Sequence, residues 1–126
     1  MIQQNILDTI HDWLSNTFSG VSVHIEPTTP ILSPAFAIFY ESTELEETAE
    51  GKYRSISHFS IYCVFSNFSD AIGKANTIAE RIPEIENILG LPIFVRRIEK
   101  RAQEEGEPVF VCVVFIDVVH FDLTTS

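Results

Sequence analysis

With 126 residues, 45% of them hydrophobic and ten of them phenylalanine, the chain is one domain's worth of sequence with enough apolar mass for a packed interior, which excludes a disordered chain. Its 18 acidic residues against 8 basic ones leave a net charge of −10. Nucleic-acid binders gain affinity by neutralising phosphates with Lys and Arg, so this balance argues against DNA, RNA and anionic membranes as main partners.

The N-terminal "MIQQNILDTIHDW" has no basic region followed by a continuous apolar stretch, so a signal peptide is not expected. No apolar run approaches the roughly 20 residues of a membrane helix. The expectation is a cytosolic protein. In "IQQNILDTIHDWLSNTF" the positions Ile2, Ile6, Leu7, Ile10, Trp13, Leu14 and Phe18 form one helical stripe, with Gly20 as the stop.

"VSVHIEP" alternates Val21, Val23 and Ile25 with Ser22 and His24, a half-buried strand ended by Pro27. "TTPILSP" is a proline-punctuated connection. "AFAIFYE" is a second strand with Phe36, Ile38 and Tyr40 on one face and small Ala35 and Ala37 on the other. Close packing of the first helix is expected on the alanine side. "ESTELEETAEGKY" carries Glu41, Glu44, Glu46, Glu47 and Glu50 with no apolar stripe and predicts a solvated, mobile loop.

In "SHFSIYCVF" Phe59, Ile61, Cys63 and Phe65 alternate with His58, Ser60, Tyr62 and Val64 as a strand. Ser69 or Asn67 is positioned as an N-cap for a helix with Ala71, Ile72, Ala75, Ile78, Ala79 and Ile82 on its apolar stripe. Pro83 ends or kinks this helix, and "EIENILG" adds about one further turn. Two strands follow, "PIFVRRIEKRAQ" and "VFVCVVFIDVVHFDL", joined at "EEGEP". Residues 109–123 contain no Gly or Pro and, at about 3.3 Å per residue, span nearly 50 Å, and Phe110 to Ile116 are apolar on both faces. Such a strand is central, covered on both sides, or extended into a neighbouring molecule. The resulting class is α+β, a mixed or antiparallel sheet with two main helices on one face, in the order α-β-β-β-α-β-β and spanning residues 1–126 as one domain.

Chemistry-bearing constellations are sparse. Cys63 and Cys112 each lie in an apolar strand and read as buried, reduced thiols. His11, His24, His58 and His120 are scattered over four elements without metal-site spacing, and no glycine-rich phosphate loop is present. His120 and Asp122 share a strand face, and the plain reading of the pair is an exposed strand end. His11 and Asp12 are adjacent and are expected to point apart. His58 falls on the face opposite Cys63 and reads, like Cys63, as a packing residue. Neither a catalytic residue nor a cofactor or metal ligand is expected. Half of the basic residues, Arg96, Arg97, Lys100 and Arg101, fall within six positions. They either keep an edge strand from pairing or form a patch that meets the acidic 41–50 segment of a neighbouring copy.

The order of elements resembles the tail terminator (tail completion) proteins of long-tailed bacteriophages. The residues that carry the likeness are the N-terminal amphipathic helix, "YRSISHFSIYCVF", the "SNFSDA" link, the helix "AIGKANTIAERI" and the closing hairpin ending in "FVCVVFIDVVHFD". The likeness covers nearly the whole chain. It implies a structural virion protein, assembled in the host cytoplasm, that forms a ring, usually a hexamer. The ring caps the tail tube and offers the head-docking surface. Its partners would be itself, the tail tube protein and a head-closure or connector protein, with no specific nucleic-acid recognition, no membrane and no enzymatic role. The implied interface positions are 41–54 and 96–108, with Glu44, Glu46, Glu47, Glu50, Arg96, Arg97, Lys100 and Arg101 as contact residues. Related head-closure, neck or minor capsid proteins fit the same pattern. From other classes, a small-ligand-sensing regulatory domain and an enzyme using His120 with Asp122, or Cys63, remain open.

Overall fold

The computed structural model describes residues 2–49, 51–102, 106 and 108–121. Its elements are α1 (Ile2–Thr17), β1 (Ser22–Ile25), β2 (Ala35–Ala49), β3 (Lys52–Phe65), α2 (Phe68–Glu80), α3 (Ile82–Leu89), β4 (Ile93–Arg101) and β5 (Phe110–His120). The strands form one mixed sheet in the order β1-β2-β3-β5-β4. The β1–β2 pair is parallel and every other pair antiparallel. β5 therefore inserts between β3 and β4, which run parallel and are joined by the α2–α3 crossover, a split β-α-β arrangement.

All three helices cover one face. Ile6, Ile10, Trp13 and Leu14 of α1, Ala71, Ala75 and Ile78 of α2, and Ile82 and Ile85 of α3 share a core with Phe36, Ile38, Phe59, Ile61, Cys63, Cys112, Val114 and Ile116 of the sheet. The register explains why these meet. Phe36 lies opposite Cys63, which lies opposite Cys112, and alternate residues on each strand point the same way. Full burial of one such side chain contributes about 1.5–3 kcal/mol. The narrow alanine stripe of α2 lets it lie close to β3 and β5.

Several local expectations need correction. α1 packs on Phe36 and Ile38, not on the alanine side; Ala35 and Ala37 face the other way, and Ala37 lies beneath the 27–31 connection. That connection joins parallel neighbours, so it must travel from one end of the sheet to the other. It crosses the face that the helices leave free. The helix after β3 is capped by Asn67, whose side chain accepts the Asp70 N–H at 2.8 Å. It breaks at Arg81, and α3 follows as a separate eight-residue helix with Pro83 in its first turn, where a missing N–H costs nothing. Gly90 closes α3 in the left-handed conformation at φ 69°. β5 is central, as the apolar run requires, but its strand bounds are Phe110–His120.

The largest correction concerns the glutamate-rich segment. Residues 41–49 are not a loop but the second half of β2, paired with β3 as far as Ala49 opposite Lys52. β3 meets β5 only from Ser55 onward. Among the described residues, the hairpin beyond Ser55 therefore has no third strand, and it projects as a two-stranded arm. Arg54 opposes Glu46 and bonds it at 2.9 Å, which offsets charge repulsion along the arm.

Candidate functional site

The face opposite the helices is concave. Arg101 and Ala102 at the end of β4, and Pro27, Thr29, Pro30 and Ile31 after β1, belong to opposite edges of the sheet but line one cleft of about 970 Å³. A flat five-stranded sheet would hold those edges apart by about 19 Å, four strand spacings. Twisting and coiling bring them together. The floor is Ala37 and Phe39 of β2, Ser60, Tyr62 and Val64 of β3, and Val111 of β5. Small Ala37 and Ser60 give the cleft its depth. Phe39 and Tyr62 pack edge to face, centroids 5.1 Å apart.

The four clustered basic residues divide between the two faces. Arg97 stacks on Phe115 at 4.1 Å and pairs with Glu99 at 3.0 Å. Arg101 stacks on Tyr62 at 4.9 Å at the mouth of the cleft and, among the described residues, has no carboxylate partner. Lys100 turns to the helix face, over Phe68 at 4.8 Å. Arg96 is absorbed within the subunit. Its Nε lies 3.3 Å from Asp117 and its terminal nitrogen 3.7 Å from Glu41. Of the acidic residues, Glu46 and Glu47 are exposed on the arm and Glu44 is exposed just before it, where β3 is still paired with β5; Glu50 lies outside the described residues. Acidic segment and basic strand are thus brought to different parts of the subunit, and among the described residues only Glu41 and Arg96 meet.

Asp117 also accepts the His58 Nδ1–H at 2.6 Å, while His58 Nε2 faces Glu44 at 3.6 Å. His58 is therefore not a packing residue but the hub of a five-residue polar cluster on the concave face. Sequence reasoning missed this cluster, although one signal was present. Asp117 is the only charged side chain in the apolar run from Phe110 to Val119, and a carboxylate in a central strand requires a partner. A catalytic imidazole must present its free nitrogen to a substrate. Here Nε2 is shielded from solvent beneath Glu44, so the cluster acts as a clamp across β2, β3, β5 and β4.

A second polar chain crosses the helix face near the base of the arm. Tyr40 and Thr43 hydroxyls lie 2.6 Å apart, Thr43 and Ser57 hydroxyls 2.8 Å, and Ser57 Oγ lies 2.8 Å from His120 Nε2. The last distance suits a nucleophile and its base. Ser57 is 0% and His120 2% exposed, however, which leaves no approach for a substrate. His120 is thus not an exposed strand end, and Asp122 lies outside the described residues. His11 and Asp12, expected to point apart, touch at 3.0 Å on the surface of α1. Cys63 and Cys112 are buried, free and directly opposite each other, and burial raises the pKa of both thiols. Among the described residues, no group of His, Cys, Asp or Glu could hold a metal ion.

No protein-family model matches the chain, and no curated protein matches it in sequence.

Proposed function

We propose that this chain is a ring-forming virion subunit of the tail-terminator type, one that caps a phage tail tube and provides the surface on which the head docks. The observation that carries the reading is the arm. A two-stranded hairpin with exposed Glu46 and Glu47, with Tyr53 at 45% exposure and with Leu45 at 65% exposure at its base, extends beyond the sheet. Isolated two-stranded hairpins are marginal in water, so an arm of this kind acquires a purpose when a partner covers it. Lys100 and Arg101 of β4, without carboxylate partners among the described residues, supply the complementary sign elsewhere on the subunit, which is how interfaces gain register and orientation. The partners of this reading are further copies in a hexameric ring, the tube protein and a head-closure protein. A head-closure, neck or minor capsid subunit would use the same surfaces.

Sedimentation velocity and native mass measurement, with and without purified tail tubes, test it. The expected result is a closed oligomer alone or on the tube end. A monomer that remains free beside the tubes overturns it.

The cleft favours a second reading, a small-ligand-binding regulatory domain, because its volume falls in the range of ligand pockets. That reading expects a rise in melting temperature with a metabolite, and a screen without any shift removes it.

A further inference from the structure

Arm and cleft lie at opposite ends of the same strands. The arm is built from the end of β2 and the start of β3, whereas the cleft uses the start of β2 and the end of β3. From Tyr53, opposite Glu47, to Phe59, opposite the cleft-lining Tyr40, β3 is one uninterrupted strand, about 20 Å at 3.3 Å per residue. The arm therefore cannot reach its own cleft. We propose that the arm of one copy docks in the cleft of the next, as the head-to-tail contact of the ring; this rests on the assembly reading above.

Three features carry the assignment. The first is charge. Residues 45–54 hold Glu46, Glu47 and Glu50 against Lys52 and Arg54, and Arg54 is already taken by Glu46, which leaves Glu47 exposed with no basic partner among the described residues. Arg101 stands at the cleft mouth without a carboxylate partner among the described residues, in a chain of net charge −10. A guanidinium held over Tyr62 keeps its N–H donors available for an incoming carboxylate. The second is apolar surface. Leu45 and Tyr53 occupy diagonal positions on the same face of the arm as Glu47, and diagonal neighbours present a joint surface. The cleft offers Pro27, Pro30, Phe39 and Val111 to receive them. The third is symmetry. An arm at one end and a receptor at the other make a heterologous contact, the kind that closes into a ring when the rotation permits.

Sedimentation velocity on the wild type, Arg101→Glu, Glu47→Lys and the double variant tests the contact. Each single reversal is expected to weaken association by about tenfold or more, and the double reversal to restore most of it. Both sites are exposed, so folding is not at stake. A second measurement mixes Leu45→Cys and Pro30→Cys copies under mild oxidation, with a cross-linked heterodimer expected. If the wild type assembles but neither reversal changes it and no cross-link forms, the arm-to-cleft contact is wrong while the assembly reading stands. If single reversals weaken association and the double does not recover, Glu47 and Arg101 are not partners, and the contact as assigned fails. If tube-protein contacts alone respond, the cleft's occupant is the tube. A wild type that never associates, alone or on tubes, overturns both readings.

Discussion

Glu41 and Arg96 are each the extra residue of a β-bulge, and their side chains meet at 3.7 Å across the concave face. One bulge interrupts β2 between Tyr40 and Ser42, the other β4 between Val95 and Arg97. Bulges bend a strand and redirect a side chain. Here both redirect charge toward Asp117 and His58, which lie on the two strands between. Glu26 supports the first bulge at φ 44°. Its N–H bonds the Ile38 carbonyl at 2.9 Å, and its carboxylate accepts the Tyr40 N–H at 3.0 Å.

Asp117→Ala removes the acceptor shared by His58 and Arg96, leaving two polar groups short of a partner on a face that is only 20% open at Asp117. The expected loss is about 2 kcal/mol in urea unfolding. Arg96→Ala, at a more open position, costs about 1 kcal/mol, and Glu41→Gln less than that. Equal effects for all three variants would show that the cluster is not centred on Asp117.

Ser57→Ala breaks the buried chain in the middle, since Ser57 Oγ touches both Thr43 and His120. A buried partner left unsatisfied costs about 1–3 kcal/mol. Because the chain sits where the arm leaves the sheet, amide exchange of residues 43–57 should accelerate more than that of Ile61 or Val114. Uniform acceleration would place the chain's role in global stability alone.

Cys63 and Cys112 should resist alkylation in the native state near neutral pH and react fully in denaturant. The thiolate is the reactive form, and burial raises both thiol pKa values, with the facing Cys112 adding to the effect on Cys63. A folded pKa above the unfolded value stabilises fully below the unfolded pKa and is lost as pH rises. Stability is therefore expected to decline as pH climbs past the thiols' ordinary value of 9.0. Rapid labelling of the native protein at neutral pH would contradict this burial.

The helical stripes and the strand-to-helix switch were legible because one face of each element is buried in its own subunit. Ile6, Leu7, Ile10, Trp13 and Leu14 are all buried on α1, and Asn67 caps α2 where the periodicity changes. The arm was not legible, because its pairing is dictated by the register of β3 and not by an apolar pattern in 41–49. His58 and Asp117 were missed for a related reason. They are 59 residues apart, and only the register of β3 against β5 makes them direct neighbours. The split of the basic cluster depended on the bulge at Arg96, which changes the side to which later residues point. The burial of His120 depended on Ser57, a partner 63 residues away.

Trp13, the only tryptophan, provides a direct readout of the contact between α1 and α3. Its Nε1–H donates to Glu84 Oε1 at 3.3 Å, and Arg81 donates to the same carboxylate at 2.8 Å while lying over the indole at 5.6 Å. The Arg81 hydrogen bond, with a smaller share from Trp13, lowers the Glu84 pKa from its ordinary 4.5. A depressed carboxylate stabilises above its unfolded pKa, and that contribution is lost as pH falls through the folded value. Indole fluorescence should therefore stay constant down to about pH 4.5 and change only below it, as protonation releases Arg81 from the ring. Glu84→Gln should abolish that acid transition while retaining the indole hydrogen bond. Glu84→Ala should shift the neutral-pH spectrum toward that of a more solvated indole. A transition at or above the ordinary glutamate value in the wild type would show that Arg81 does not hold the carboxylate in solution.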